Sequence, residues 1–101
     1  MARREIIWTK TADRQFLDIL EYWVNRNKSN TFSKKLVKTV TKRTEQIFKN
    51  PLTFKRTDFG EHRVASLGNF SIFYLVQETS VLISAFWDNR QDPDKLLKVL
   101  E

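Results

Sequence analysis

The sequence predicts an α+β fold with two layers, in which a helical hairpin packs on a small antiparallel sheet. Three observations predict it. Two stretches with helical spacing of apolar residues lie on either side of a short loop. Three strand-like runs then follow one another across short turns, and a short run precedes the helices. With a short helix at the end of the chain, the predicted order of elements is β-α-α-β-β-β-α. The two helices of the hairpin must cover one face of the sheet, which gives the two layers.

The chain is predicted to begin with a short strand and a long helix. Arg4–Trp8 is predicted to be a short strand, and Thr9 and Thr11 are both suitable caps for the helix that follows. Within Lys10–Asn27, the apolar residues recur at helical spacing and form one face. This helix should therefore pack its apolar face on the sheet.

A second helix is predicted from about Thr31 to Lys49. Asn50 should end it in the left-handed conformation, and Pro51 cannot continue it. The helix is strongly basic, and three lysines recur every four residues on one face: Lys34, Lys38 and Lys42. Like charges at this spacing cost a few tenths of a kcal/mol per pair. A solvated face and a surface that binds an acidic or polyanionic partner are both consistent with this pattern.

The second half of the chain is predicted to form an antiparallel meander. Residues 51–60 have no periodicity and should form a surface connection that carries Lys55 and Arg56. Gly68 and Asn69 suit a tight hairpin turn, and the next connection is also short. The three strands are predicted over Glu61–Leu67, Asn69–Gln77 and Val81–Trp87.

The last strand ends abruptly at polar residues. Val81–Trp87 is almost wholly apolar, as expected of a strand buried on both faces. Five polar residues follow it, with Arg90 in the middle. Asp92 should cap a final helix over Pro93–Glu101. That helix either packs on the domain or docks a partner.

Length and composition indicate one domain over residues 1–101 that needs no disulfide or metal. The chain has no cysteine and one histidine, His62. We therefore expect no metal site and no cofactor. It has no apolar stretch of the roughly 20 residues that span a membrane, and its first residues lack a signal-peptide pattern. We expect a cytoplasmic protein.

The charge is uneven along the chain. The net charge is +6, but residues 1–56 hold 14 Lys or Arg against 5 Asp or Glu, and residues 57–101 hold 4 against 7. The first part therefore carries +9 and the second −3. A basic half of this kind attracts nucleic acid, the ribosome or an acidic protein.

The candidate functional residues lie at predicted strand ends. His62 and Arg63 open the first meander strand, and Arg90 follows the last, so strand count places Arg90 at the opposite end from His62. His62 could serve as a general base or have a structural role. Lys55 and Arg56 precede the meander. The chain has no glycine-rich phosphate loop and no helical pair of histidines.

This order of elements, with the segments GNFSIFY at Gly68–Tyr74 and FWDNRQDPDKL at Phe86–Leu96, resembles the RelE/ParE superfamily of bacterial type II toxins. The resemblance covers nearly the whole chain. It implies a toxin of a toxin–antitoxin, or plasmid stabilisation, system that a cognate antitoxin neutralises. It also implies either ribosome-dependent mRNA cleavage, as in RelE-like members, or inhibition of DNA gyrase, as in ParE-like members.

Two departures from the ribonucleolytic pattern favour the ParE-like subgroup. Ribonucleolytic members usually carry an arginine where this chain has Ser71, and commonly a His or Tyr after the last strand. In the RelE-like alternative, Arg63 and Arg90 would clamp a phosphate while His62 or Lys55 moves protons. A third possibility is a non-toxic member that only binds its antitoxin. Whether the chain is an enzyme therefore stays open at this point.

Overall fold

The computed structural model describes residues 4–100 and has three helices and five strands in this range. The strands are β1 (Glu5–Trp8), β2 (Lys55–Arg56), β3 (Arg63–Leu67), β4 (Phe70–Val76) and β5 (Ser80–Asp88). The helices are α1 (Lys10–Asn27), α2 (Thr31–Lys49) and α3 (Pro93–Leu100). The predicted α+β order is confirmed. The two-residue strand β2 is an addition inside the stretch predicted to be a surface connection. Glu101, the predicted end of the last helix, lies outside the described residues.

The five strands form one mixed sheet in the order β1-β5-β4-β3-β2. The meander β3-β4-β5 is antiparallel, as predicted, and β2 pairs antiparallel with β3. β1 is parallel to β5, and it pairs only with the first part of that strand, Ser80–Ile83. The sheet is therefore antiparallel except at the edge formed by β1.

Local signals define most helix ends. The Thr9 hydroxyl accepts the Ala12 N–H at 3.1 Å, so Thr9 caps α1. The Asp92 carboxylate accepts the Asp94 N–H at 3.0 Å and caps α3, as predicted. The predicted left-handed conformation of Asn50 is wrong, because its φ is −140°. Its N–H still donates to the Gln46 carbonyl, and the proline that follows ends the helix.

Two apolar clusters lie on the two faces of the sheet. The side chains of β4 alternate between them, as predicted: Phe70, Ile72 and Tyr74 face the helical hairpin. Phe73 faces the other side, where it packs with Ala85, Trp87 and Leu96 of α3. The final helix is therefore packed on the domain. Both faces of the central strands are covered.

A β-bulge divides β5 into two halves. Phe73 pairs with Ala85 and Tyr74 pairs with Ile83, so Ser84 has no partner in β4. The extra residue reverses the alternation of side chains. As a result, Ile83 and Phe86 both face the helical hairpin although they lie three residues apart.

The turn between β3 and β4 depends on Gly68, whose φ is 61°. We expect Gly68→Ala to lower the free energy of unfolding by about 1–2 kcal/mol, because an L-residue is strained in this conformation. A Cβ at this position would meet no heavy atom within 4 Å, so the cost comes from the backbone. Urea denaturation measures it. Gly68→Asn should lose less, and equal losses in the two variants would contradict the explanation.

Candidate functional site

The end of β5 holds Arg90 in a defined position. The Arg90 guanidinium donates to both oxygens of Asp88, at 2.9 and 2.8 Å, and the Arg90 N–H donates to the same carboxylate. These hydrogen bonds, above all those from the guanidinium, hold the pKa of Asp88 below its usual value. The turn is tied to the sheet, because the Asn89 N–H donates to the Asn69 carbonyl. Arg90 is therefore presented by a rigid strand end.

A groove opens beside this strand end. It lies between α1 and the second half of β5 and has a volume of about 590 Å³. Its walls combine aromatic and charged side chains, including Tyr22, Trp23, Arg26 and Arg90. The guanidinium carbons of Arg26 and Arg90 lie 6.0 and 5.5 Å from the centre of the Trp23 ring, within the range of cation–π contacts. The groove therefore lies between a helix and a strand end, and the sequence pattern does not show that these two elements are neighbours.

His62 lies at the other end of the sheet and is buried. The residue is 8% exposed, and both nitrogens of its ring have partners. Nδ1 lies 2.9 Å from the Phe59 carbonyl, and Nε2 lies 3.2 Å from the Ser84 hydroxyl at the bulge. Since Nδ1 must donate to a carbonyl, Nε2 accepts from Ser84 in the neutral ring. A proton-transfer role for His62 would require this arrangement to open.

Three of the predicted cationic residues meet at the sheet edge opposite β1. Lys55 pairs with Val64, and Arg56 stands opposite Arg63 across β2 and β3. Arg63 donates to the carbonyls of Leu52 and Phe54 at 3.2 and 2.8 Å. Arg56 forms an exposed ion pair with Glu61 at 3.1 Å. Lys55, Arg56 and Arg63 thus form one cationic edge.

The remaining predicted residues lie apart from this edge. Lys34, Lys38 and Lys42 are exposed along α2, and within residues 4–100 none of them is in an ion pair. Arg90 lies at the far end of the meander, as strand count predicted, because Asp88 pairs with Phe70 while Arg63 pairs with Tyr74. The structure therefore brings Lys55, Arg56 and Arg63 together and separates them from Arg90. Within the described residues no group of three or more His, Cys, Asp or Glu side chains could hold a metal ion.

Several residues near these surfaces were not singled out from the sequence. The sequence indicated only an apolar position of α1 at Trp23, yet the guanidinium groups of Arg26 and Arg90 both lie over its ring. The spacing of Trp23 and Arg26 at i and i+3 was the available signal. Arg43 lies 5.9 Å from the Phe54 ring, and its Nε is buried without a hydrogen-bond partner. It adds a cation next to the edge that carries Arg63.

Tyr74 makes the stability of this end of the sheet sensitive to alkali. Its hydroxyl donates to the Pro51 carbonyl at 2.7 Å. Burial raises the pKa of Tyr74 from 10.0 to about 12, although the charge of Arg63 opposes this. The folded protein holds the Tyr74 proton more tightly than the unfolded chain does, so protonated Tyr74 contributes to the free energy of unfolding. This contribution is complete below about pH 10 and is lost as the pH rises to about 12.

We therefore expect the free energy of unfolding to fall by about 1–3 kcal/mol between these pH values because of Tyr74 alone. Urea denaturation at a series of alkaline pH values measures the fall. Tyr74→Phe is the matched control, because it keeps the ring and removes the ionisation. A variant with the same alkaline fall as the parent protein would contradict the assignment.

The fold and these surfaces define a class of protein. A helical hairpin on one face of a β-meander, with cationic groups at the strand ends and along the second helix, is the arrangement expected of the RelE/ParE superfamily. Within residues 4–100, no helix is long and apolar enough to cross a membrane.

Comparison with known proteins identifies the family. The model of the family described as "ParE toxin of type II toxin-antitoxin system, parDE" matches residues 6–93, so the chain belongs to this family. A solved structure described as the chromosomal ParDE TA system from P. aeruginosa is similar in fold, with a TM-score of 0.73 and 16% identity. The match covers 83% of this chain and 94% of that chain. No curated protein sequence matched.

Proposed function

We propose that this chain stops bacterial growth by binding DNA gyrase and that a cognate antitoxin neutralises it. Its membership of the ParE toxin family supports a toxin of a type II system. DNA gyrase as the target goes further than family membership. It agrees with the two departures from the ribonucleolytic pattern, which are Ser71 in place of an arginine and the lack of a His or Tyr after the last strand. The target lies in the cytoplasm, so we propose the same location for this chain.

The separation of the candidate catalytic residues carries this proposal. Arg63 and Arg90 lie at opposite ends of the meander, and the ring nitrogens of His62 are both engaged in hydrogen bonds. Cleavage of RNA through the 2′-hydroxyl requires an acid, a base or concentrated charge at one phosphate. A protein that acts by binding needs only accessible surfaces, which the exposed cationic groups supply.

A supercoiling assay tests the target directly. Purified full-length protein is added to DNA gyrase, relaxed plasmid and ATP, and in parallel to a translating cell extract in which the mRNA is followed. We expect supercoiling to stop, with intact mRNA in the extract. Topoisomerase IV, which relaxes DNA, is the matched control for a general effect on DNA.

The other outcomes select the alternatives. Cut mRNA with normal supercoiling would replace our proposal with the RelE-like ribosome-dependent ribonuclease. The observation that favours this alternative is the cationic edge of Lys55, Arg56 and Arg63, which adjoins His62. Normal supercoiling and intact mRNA, from folded protein, would instead support a non-toxic member that only binds its antitoxin.

The lysine face of α2 should contribute to binding of acidic partners. We expect the triple substitution of Lys34, Lys38 and Lys42 by glutamine to make the protein elute from heparin, a polyanion, at clearly lower salt. The reason is that three exposed like charges on one face attract a polyanion together. The same substitution should weaken gyrase inhibition.

A control with the same change in charge separates this face from net charge. Lys10, Lys95 and Lys98 are also exposed but lie on other elements. Their replacement by glutamine should shift elution less. Equal shifts in the two triple variants, or binding that does not depend on salt, would remove the α2 face from the site.

A further inference from the structure

The outward face of α2 carries a row of lysines. With about 100° of rotation per residue, the buried residues Leu36, Val40 and Ile47 point to one side of the helix. Five exposed lysines lie on the opposite side, within about 100° of arc, and form what we call the lysine row: Lys34, Lys35, Lys38, Lys42 and Lys49. Glu45 is the only acidic residue of α2, so five positive charges against one negative charge leave +4 on this side of the helix.

No ion pair within the described part of the chain compensates the lysine row. Residues 4–100 contain three ion pairs, and each of them joins residues outside α2. Like charges four residues apart repel one another on a helix. A polyanion that lies along α2 would relieve this repulsion, so the charge of the row is available to a partner.

The positive charge continues from α2 onto the cationic edge. The guanidinium carbon of Arg43 lies 5.9 Å from the centre of the Phe54 ring. The Phe54 carbonyl in turn accepts a hydrogen bond from Arg63 at 2.8 Å. The second half of α2 therefore lies beside the edge that carries Lys55, Arg56 and Arg63, and one long polyanion can contact both.

The residues of this surface suit duplex nucleic acid better than other acidic partners. The large apolar residues that α2 exposes are Phe32 and Val37, and they lie on opposite flanks of the lysine row. The row itself thus has neither the aromatic side chains on which single-stranded bases stack nor the apolar anchors of a protein interface. An anionic membrane surface is also disfavoured, because the apolar face of α2 that would enter the lipid is packed on the sheet.

The length of the row matches the spacing of charge on DNA. Lys34 and Lys49 lie about 22 Å apart along the helix axis, and one strand of a duplex carries about six phosphates over this length. Lysines bind phosphates as point charges, and phosphate contacts carry no sequence information. We propose that the lysine row of α2 binds double-stranded DNA through its phosphates, without preference for sequence. Such binding would bring the protein to the substrate of its proposed target, DNA gyrase, but it is measured without gyrase, so that the two proposals can fail separately.

Purified full-length protein is titrated into fluorescently labelled DNA duplexes of two unrelated sequences at a series of salt concentrations. We expect similar affinities for the two duplexes. The logarithm of the affinity should fall linearly with that of the salt concentration, with a slope of about −4 to −5, because each lysine of the row releases counterions from a phosphate. The triple substitution of Lys34, Lys38 and Lys42 by glutamine should reduce the magnitude of this slope by about 2–3 and weaken binding at least about ten-fold in low salt. The charge-matched control, in which three lysines outside α2 are replaced, should change the slope by less than about 1.

A footprint of the unaltered protein tests the same contacts without substitutions. Lysines are acetylated with an N-hydroxysuccinimide ester, with and without duplex DNA, and the rate at each position is measured by mass spectrometry. DNA should slow the reaction several-fold at Lys38 and Lys42, in the middle of the row, and less at Lys55 on the adjoining edge. Lys95 and Lys98 of α3 should react at unchanged rates, because α3 packs on the other face of the sheet.

Competitors decide between the classes of partner. Single-stranded DNA of the same length, polyglutamate, and vesicles that contain phosphatidylglycerol should each bind more weakly than the duplex. Tighter binding of any of the three would overturn the proposal and assign the row to that partner. Absence of duplex binding by the folded protein, an unchanged salt slope in the triple variant, or equal protection of lysines on α2 and α3 would overturn it as well. Urea midpoints show that the variants are folded, since the replacement of exposed lysines by glutamine alters stability little.

Discussion

Replacement of Phe86 by alanine is expected to lower the free energy of unfolding by about 3–5 kcal/mol. Phe86 is 1% exposed and lies at the centre of an aromatic group on the sheet. Its ring centroid is 4.8 Å from that of Phe16, 5.5 Å from that of Phe70 and 6.5 Å from that of Trp8. These residues come from β1, α1, β4 and β5, so the cavity would open where the two layers meet. The loss is a large part of a typical total of about 5–15 kcal/mol.

Urea denaturation of Phe86→Ala measures this loss, with Leu52→Ala as the control. Leu52 is an exposed apolar residue, and its truncation should cost less than about 0.5 kcal/mol. A loss below about 1 kcal/mol for Phe86→Ala would mean that the aromatic group closes around the cavity. Because Phe86 also lines the groove, loss of growth inhibition in this variant would reflect unfolding and would give no information on the target.

The position of Phe86 illustrates what could be predicted about the fold. The apolar run of the last strand predicts a strand that is buried on both faces, and this is confirmed. A continuous apolar run contains no alternation, however, and therefore does not show which side chains face the helices. The bulge at Ser84 determines which side chains of β5 face the helices. It involves a tertiary contact, because the Ser84 hydroxyl is hydrogen-bonded to His62, which lies far away in sequence.

The same reasoning applies to the candidate site. Strand count was sufficient to separate Arg90 from His62, because short turns determine the direction of each strand. The burial of His62 was not predicted. It follows from the turn before β3, in which the His62 N–H donates to the Phe59 carbonyl and the Thr57 N–H donates to the His62 carbonyl. Such a turn carries no periodic signal in the sequence.

The groove beside α1 was also beyond sequence reasoning. Helical periodicity identifies the face of α1 that packs on the sheet, but it does not determine which residues at its border reach the neighbouring strand. Gln15 and Trp23 lie at that border. Gln15 reaches the backbone of Phe86, and Trp23 lies against Arg90. Both contacts join residues more than 60 positions apart in the chain.

Replacement of Arg90 by alanine is expected to abolish growth inhibition while the protein stays folded. The side chain is 52% exposed, so solvent screens its ion pair with Asp88 and little stability depends on it. The contact with the Trp23 ring, at 5.5 Å, is exposed to solvent in the same way. The stability lost is therefore small compared with that of Phe86→Ala. Growth after induced expression and the urea midpoint of the purified variant measure the two effects.

Two further variants show whether charge or geometry matters at this position. Arg90→Lys keeps the charge but loses the two parallel hydrogen bonds to Asp88, so partial inhibition by this variant would indicate a role for charge alone. Lys95→Ala removes an exposed cation from α3 and should remain fully inhibitory. Full growth arrest by a folded Arg90→Ala protein would exclude Arg90 from the site. The cationic edge of Lys55, Arg56 and Arg63 and the lysines of α2 would then be the surfaces that contact the target, since Arg90 lies at the opposite end of the meander from that edge.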